Sequence, residues 1–110
     1  MPTDIYIYCL SGEEGAIRGD LEYDVEEFFG AAARFSGARG GVPGFNLDFE
    51  LADGEDVEAW VVRLRNFLKQ ENARPSTFFE VFPDGWKPAQ AWRRVDLNGD
   101  DRWLTAREPQ

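Results

Sequence analysis

The stretch GFNLDFEL, residues 44 to 51, alternates apolar and polar side chains without a break. Phe45, Leu47, Phe49 and Leu51 fall on one side of an extended chain, and Asn46, Asp48 and Glu50 fall on the other, because successive strand side chains point to opposite faces. A strand covered by helices on both faces would be apolar throughout. This chain is therefore expected to build a sheet with one face packed and the other left to solvent or to a partner.

Two helical stripes can supply the packing. Asp24 followed by Glu27 matches a capping box, and Val25, Phe28, Phe29, Ala32 and Phe35 then recur at helical spacing. That predicts a first helix from Asp24 to near Ser36, with GARGGVPG behind it as a flexible connector. AIRGDLEY, residues 16 to 23, fits either an extended piece or a lead-in to that helix. Asp53 and Asp56 can cap a second helix, whose stripe is Val57, Trp60, Val61, Leu64, Phe67 and Leu68 and whose end is set by Pro75. DIYIYCL, residues 4 to 10, reads as a strand with Ile5, Ile7 and Cys9 on one face and Tyr6 and Tyr8 on the other. STFFEVF, residues 76 to 82, is the third strand, and PDG follows as a turn. The expected fold is an α/β (α+β) two-layer sandwich of order β-α-β-α-β-β. It has two amphipathic helices on one face of a mixed sheet of four to five strands and ends in a β-hairpin. With 110 residues, of which 43% are hydrophobic, the chain suits one domain over residues 1–110.

The hairpin is expected within DLNGDDRWLTARE, residues 96 to 108. Asp96, Asn98 and Asp100 also stand where positions one, three and five of an EF-hand or dockerin-type loop would, and this fragment resembles the start of such a calcium loop. The resemblance covers half a loop. Asp101 replaces the turn glycine at position six, Arg107 replaces the bidentate carboxylate at position twelve, and Glu108 comes one place late. A four-residue tip, Asn98 to Asp101, would pair Val95 with Leu104 and Leu97 with Arg102. A two-residue tip would instead oppose Asp96 to Asp101, a like-charge pair. The four-residue hairpin is the reading adopted; calcium binding by residues 96–101 is an alternative.

The residues carry little catalytic potential. There is no histidine, which removes the commonest general base and zinc ligand. Cys9 falls in an apolar strand with nothing to activate it, and Ser11, Ser36 and Ser76 have no triad partners. GARGGVPG lacks the lysine and hydroxyl of a phosphate loop, and Arg18-Gly19-Asp20 spells an adhesion tripeptide by chance. No enzyme activity, cofactor or metal is expected. No apolar run reaches the roughly 18–20 residues of a membrane span. One cysteine and an N-terminus without a basic segment point to a cytoplasmic protein.

Twenty-one acidic residues against twelve basic ones give a net charge of −9, which repels phosphate backbones and argues against nucleic acid as a ligand. The same field steers a cationic protein inward. The surface expected to meet it is the second sheet face: Tyr6, Tyr8, Asn46, Asp48, Glu50 and Glu80, extended by Arg94 and Asp96. Phe78 and Phe82 share the parity of Glu80, although Phe79 and Val81 could reverse that assignment. Rings supply desolvated contact area and carboxylates supply pairing. The expected function is non-enzymatic binding of a basic protein by a small bacterial inhibitor or immunity-type protein, the partner being a toxin nuclease. The plainer alternatives are an ordinary solvated acidic face, its third-strand rings packed under Trp86 or Trp92, and a homodimer joined through that face.

Overall fold

A computed structural model describes residues 2–10, 18–41, 44–83 and 90–105. The elements are β1 (Thr3–Leu10), α1 (Arg18–Phe29), a short 3-10 turn (Gly30–Ala32), β2 (Ala33–Gly41), β3 (Gly44–Leu51), α2 (Val57–Gln70), β4 (Phe78–Phe82), β5 (Trp92–Asp96) and β6 (Asp101–Leu104). They form an α+β fold, with one six-stranded sheet in the order β2-β3-β1-β4-β5-β6. Every adjacent pair is antiparallel. The expected mixed sheet of four to five strands is corrected on both counts. Each β-α-β crossover here skips one position, so β3 slots between β1 and β2, and β1 slots between β3 and β4. Strands that would be parallel neighbours are thereby kept apart.

The missing strand is β2. Gly30 adopts φ +56, a left-handed conformation that ends α1 one residue earlier, and the chain then turns into the sheet. Phe35, assigned above to the first helix, lies on β2 opposite Phe49, with a bulge between Phe35 and Gly37. The segment read as a connector is the far half of that strand. The start of α1 also differs. Asp24 sits in the middle of the helix, so it caps nothing, and residues 18 to 23 form the first turns.

α2 follows its pattern more closely. The Asp56 side chain accepts a hydrogen bond from the Ala59 N–H at 3.2 Å, capping the helix as expected. Trp60, Val61, Leu64 and Leu68 are buried. The helix stops at Gln70, short of Pro75, because Asn72 takes φ +59 and the Ala73 N–H bonds back to the Leu68 carbonyl at 3.0 Å.

Both helices cover one face. Leu21, Val25 and Phe29 of α1 and the buried stripe of α2 enclose Ile5, Ile7, Cys9, Leu47, Phe49, Leu51, Phe79 and Val81. Phe79 and Val81 thus point inward, which leaves Phe78, Glu80 and Phe82 on the opposite face.

The C-terminal hairpin forms, in a different register. Val95 pairs with Asp101 and Trp92 with Leu104, and the Asp96 N–H bonds the Asp100 carbonyl at 2.7 Å. The tip is therefore Leu97–Gly99, three residues from the expected pairing of Val95 with Leu104 and Leu97 with Arg102. Leu97 is the cause. It is 2% exposed and belongs to the core, its N–H bonds the Thr77 carbonyl at 2.9 Å, and Arg65 holds the Gly99 carbonyl at 2.6 Å. A residue placed in the ladder by alternation is instead pulled out of it by burial.

Candidate functional site

The strand registers place all eight candidate residues on the face opposite the helices. Tyr6 stands across from Asp48 on one side and Glu80 on the other; Tyr8 stands across from Asn46 and Phe78. Glu80 pairs with Arg94, and Phe78 with Asp96. Glu50 lies at the β2 end of the face, opposite Arg34. All eight are half-buried. Among the described residues, no helix lies over this face.

Rings and guanidinium groups line it in rows. Tyr8 stacks on Phe78 with centroids 4.9 Å apart, and the Arg94 guanidinium lies 3.7 Å above the Phe78 ring. Arg94 Nε then donates to Asp96 Oδ1 at 2.9 Å, and Arg102 donates to Asp96 Oδ2 at 3.2 Å. In the second row Tyr6 meets Phe82 at 5.0 Å, and Phe82 stacks with Trp92 at 6.2 Å. Trp92 Nε1 donates to Glu80 Oε2 at 2.9 Å, tying the rows together. Third-strand rings packing against Trp92 was one of the two readings the sequence left open. Trp86 lies outside the described residues.

The charge of the face differs from expectation. Asp4, Asp48, Glu50, Glu80 and Asp96 share the face with Arg34, Arg39, Arg94 and Arg102, so a face expected to be acidic with Arg94 its one base is nearly balanced in charge. The arrangement is nonetheless segregated. The three central strands β3, β1 and β4 carry Asp4, Asp48, Glu50 and Glu80 with no base on this side, while the arginines sit on β2 at one flank and on β5 and β6 at the other. Arg34 is held by Glu50 at 2.7 Å. Much of the acidic excess lies elsewhere, on α1, where Asp20, Glu22, Asp24, Glu26 and Glu27 occur with no base in the last turn.

Burial and the carboxylates together raise both phenols above their ordinary pKa. For Tyr8 the main cause is burial, followed by Glu80; for Tyr6 it is burial, followed by Asp4 and Asp48. Both rings stay protonated near neutrality. Cys9, on the helix side, is 1% exposed, and burial raises its thiol. Thr77 Oγ1 donates to its sulfur at 3.6 Å, as packing would have it. No family model, curated protein or solved structure matches the chain. What the site does is therefore read from its own geometry.

Sequence reasoning missed Arg34, Arg39 and Arg102 as members of this face. The signal for the first two was the pair of glycine-flanked segments on either side of residues 42 and 43, a hairpin pattern hidden by helix-spaced apolar residues before it.

The C-terminal hairpin has a pH signature that spans both faces of the sheet. Hydrogen bonds from Arg94 lower the Asp96 pKa, and those from Arg93 lower that of Asp101, each below its ordinary value of 3.8. Arg93 donates to both Asp101 oxygens at 2.7 Å and also reaches Glu58 of α2. Groups with depressed folded pKa values contribute stability above their unfolded pKa and lose it as pH falls through the folded value. The double variant Asp96→Asn/Asp101→Asn should melt below wild type at pH 6, by no more than about 1 kcal/mol per exposed pair. The two curves should converge as pH falls below the ordinary carboxylate range and both aspartates become protonated in the folded state. Thermal melts across that range check it, and a difference independent of pH would contradict it.

Proposed function

We propose that this chain is a non-enzymatic protein-binding domain that covers a cationic partner with its helix-free sheet face, as a small cytoplasmic inhibitor or immunity-type protein would cover a toxin. One observation carries the reading: on the three central strands, carboxylates alternate with Tyr6, Tyr8, Phe78 and Phe82, and the arginines are confined to the flanks. An acidic centre suits a basic protuberance, and the flanking arginines suit the acidic surroundings of one. The stacked rows are already fixed in place, so little side-chain freedom is lost when a partner arrives. The net charge of −9 adds steering that weakens with salt.

Capture from the native lysate at low and high salt, with wild type and Glu80→Lys run in parallel, tests this. Wild type should retain a protein partner that high salt releases, and Glu80→Lys, folded by its melting curve, should lose it. Equal capture by the two proteins would refute the face as the binding surface.

A second reading is favoured by the near balance of charge on this face. A chain of net charge −9 repels its own copy less through a surface where acids and arginines almost cancel than through an acidic one. Light scattering across a concentration series would then give twice the 12.5 kDa monomer mass for wild type and the monomer mass for Glu80→Lys.

A further inference from the structure

The sheet face carries a cleft of about 310 Å³ over β3 and its neighbours β1 and β2, lined by Tyr6, Tyr8, Arg39, Asn46 and Asp48. The β2 bulge sets Gly37 opposite Asp48, and with no side chain on Gly37 the space beside the carboxylate stays open; a Cβ there would stand 3.7 Å from Asp48 Oδ2. Asn46 Nδ2 donates to Asp48 Oδ1 at 2.7 Å, which fixes the carboxylate and leaves Oδ2 turned toward that space. The walls are two tyrosine rings whose hydroxyls stay protonated and can accept as well as donate.

We propose that this cleft receives a single arginine side chain from the partner protein, with the guanidinium donating to Asp48 Oδ2 and lying against the Tyr6 and Tyr8 rings. The inference rests on the reading of the sheet face as a partner surface. Arginine suits the cleft better than lysine because its planar fork can bond a carboxylate and stack on a ring at once. The same face already holds this arrangement internally, where Arg94 stacks on Phe78 and bonds Asp96. Arg39 stands at the rim, exposed, on an edge strand. Its positive charge opposes a second guanidinium, so the proposal predicts opposite signs for two neighbouring substitutions. Removing Asp48 charge should weaken binding, and removing Arg39 should strengthen it.

The probe is acetyl-Gly-Arg-Gly-amide, titrated into the full chain and followed by backbone amide shifts, with the lysine and glutamate tripeptides as controls. Shifts should concentrate at residues 6–8, 37–39 and 46–48, with arginine binding more tightly than lysine and the glutamate peptide inert. Asp48→Asn should weaken the arginine peptide by ~10-fold, the loss of a charge-assisted contact, and Arg39→Ala should tighten it by about 3-fold. The spectra themselves report whether each variant is folded. Shifts elsewhere, equal response to the glutamate peptide, or indifference to both substitutions would overturn the proposal. Failure here is separable from failure of the wider reading: if Asp48→Asn captures the partner as wild type does while Glu80→Lys does not, the face stands and the cleft falls. If both variants capture it, the face falls as well.

Discussion

Replacing Phe49 with alanine should cost about 3–5 kcal/mol, a large part of the roughly 5–15 kcal/mol that holds a domain together. Phe49 is completely buried at the middle of β3, between Ile5 of β1 and Phe35 of β2. Its ring lies 5.1 Å from Phe29 of α1 and 5.4 Å from Phe35. It therefore joins the first helix to three strands, and its loss would leave a cavity among them. At several degrees per kcal/mol for a chain of this length, the melting temperature should fall by about 15 °C or more. Phe35→Ala should cost less, because Phe35 is only half-buried on the edge strand. Urea denaturation of both variants gives the comparison. A loss below about 1 kcal/mol for Phe49→Ala, or a larger loss for Phe35→Ala, would contradict this account of the core.

How much of this architecture the sequence disclosed depends on where each signal came from. β3 was legible because its alternation is complete and needs no neighbour to interpret it. α2 was legible because the Asp56 cap and the stripe from Val57 to Leu68 agree. β2 was not, because FFGAAARF repeats apolar residues at helical spacing and only the ladder with β3 turns Phe35 into a strand residue. The hairpin register failed for a related reason: Leu97 answers to the core and to the Thr77 carbonyl, which lie outside its local sequence. For the candidate face, parity along β1 and β3 was enough to bring Tyr6, Tyr8, Asn46, Asp48 and Glu50 together. The parity of β4 was undecidable from FFEVF, where apolar residues occupy both sets of positions; helix burial of Phe79 and Val81 decides it. The charge balance cannot be read without β2, because the local pattern places Arg34 in a helix and Arg39 in a connector.

The Gly44→Ala substitution should be the most damaging glycine replacement in the described chain, although it adds a single methyl group. Gly44 has φ +137, where L side chains are strained, at a cost of order 1–3 kcal/mol. Space makes the position stricter still. A Cβ on Gly44 would fall 2.0 Å from the Cys9 carbonyl oxygen and 2.8 Å from the Leu10 Cα. Both are backbone atoms of β1, so no rotamer change relieves the contact and the strands themselves must separate. Gly44 closes two ladders at once, pairing with Leu10 of β1 and with Gly41 of β2. Separation there loosens the Cys9–Phe45 and Tyr8–Asn46 pairs next in line, and with them one wall of the cleft. The total loss should exceed about 3 kcal/mol. Gly54→Ala is the control, because Gly54 also has a positive φ, +87, but a Cβ there would meet nothing within 4 Å. It should lose only the conformational part, about 1 kcal/mol. Hydrogen exchange of amides 9, 10, 45 and 46 should accelerate in Gly44→Ala and stay as in wild type in Gly54→Ala. Equal losses in the two variants would mean that β1 and β3 do not approach as closely as the ladder requires, and the cleft between them would have to be redrawn.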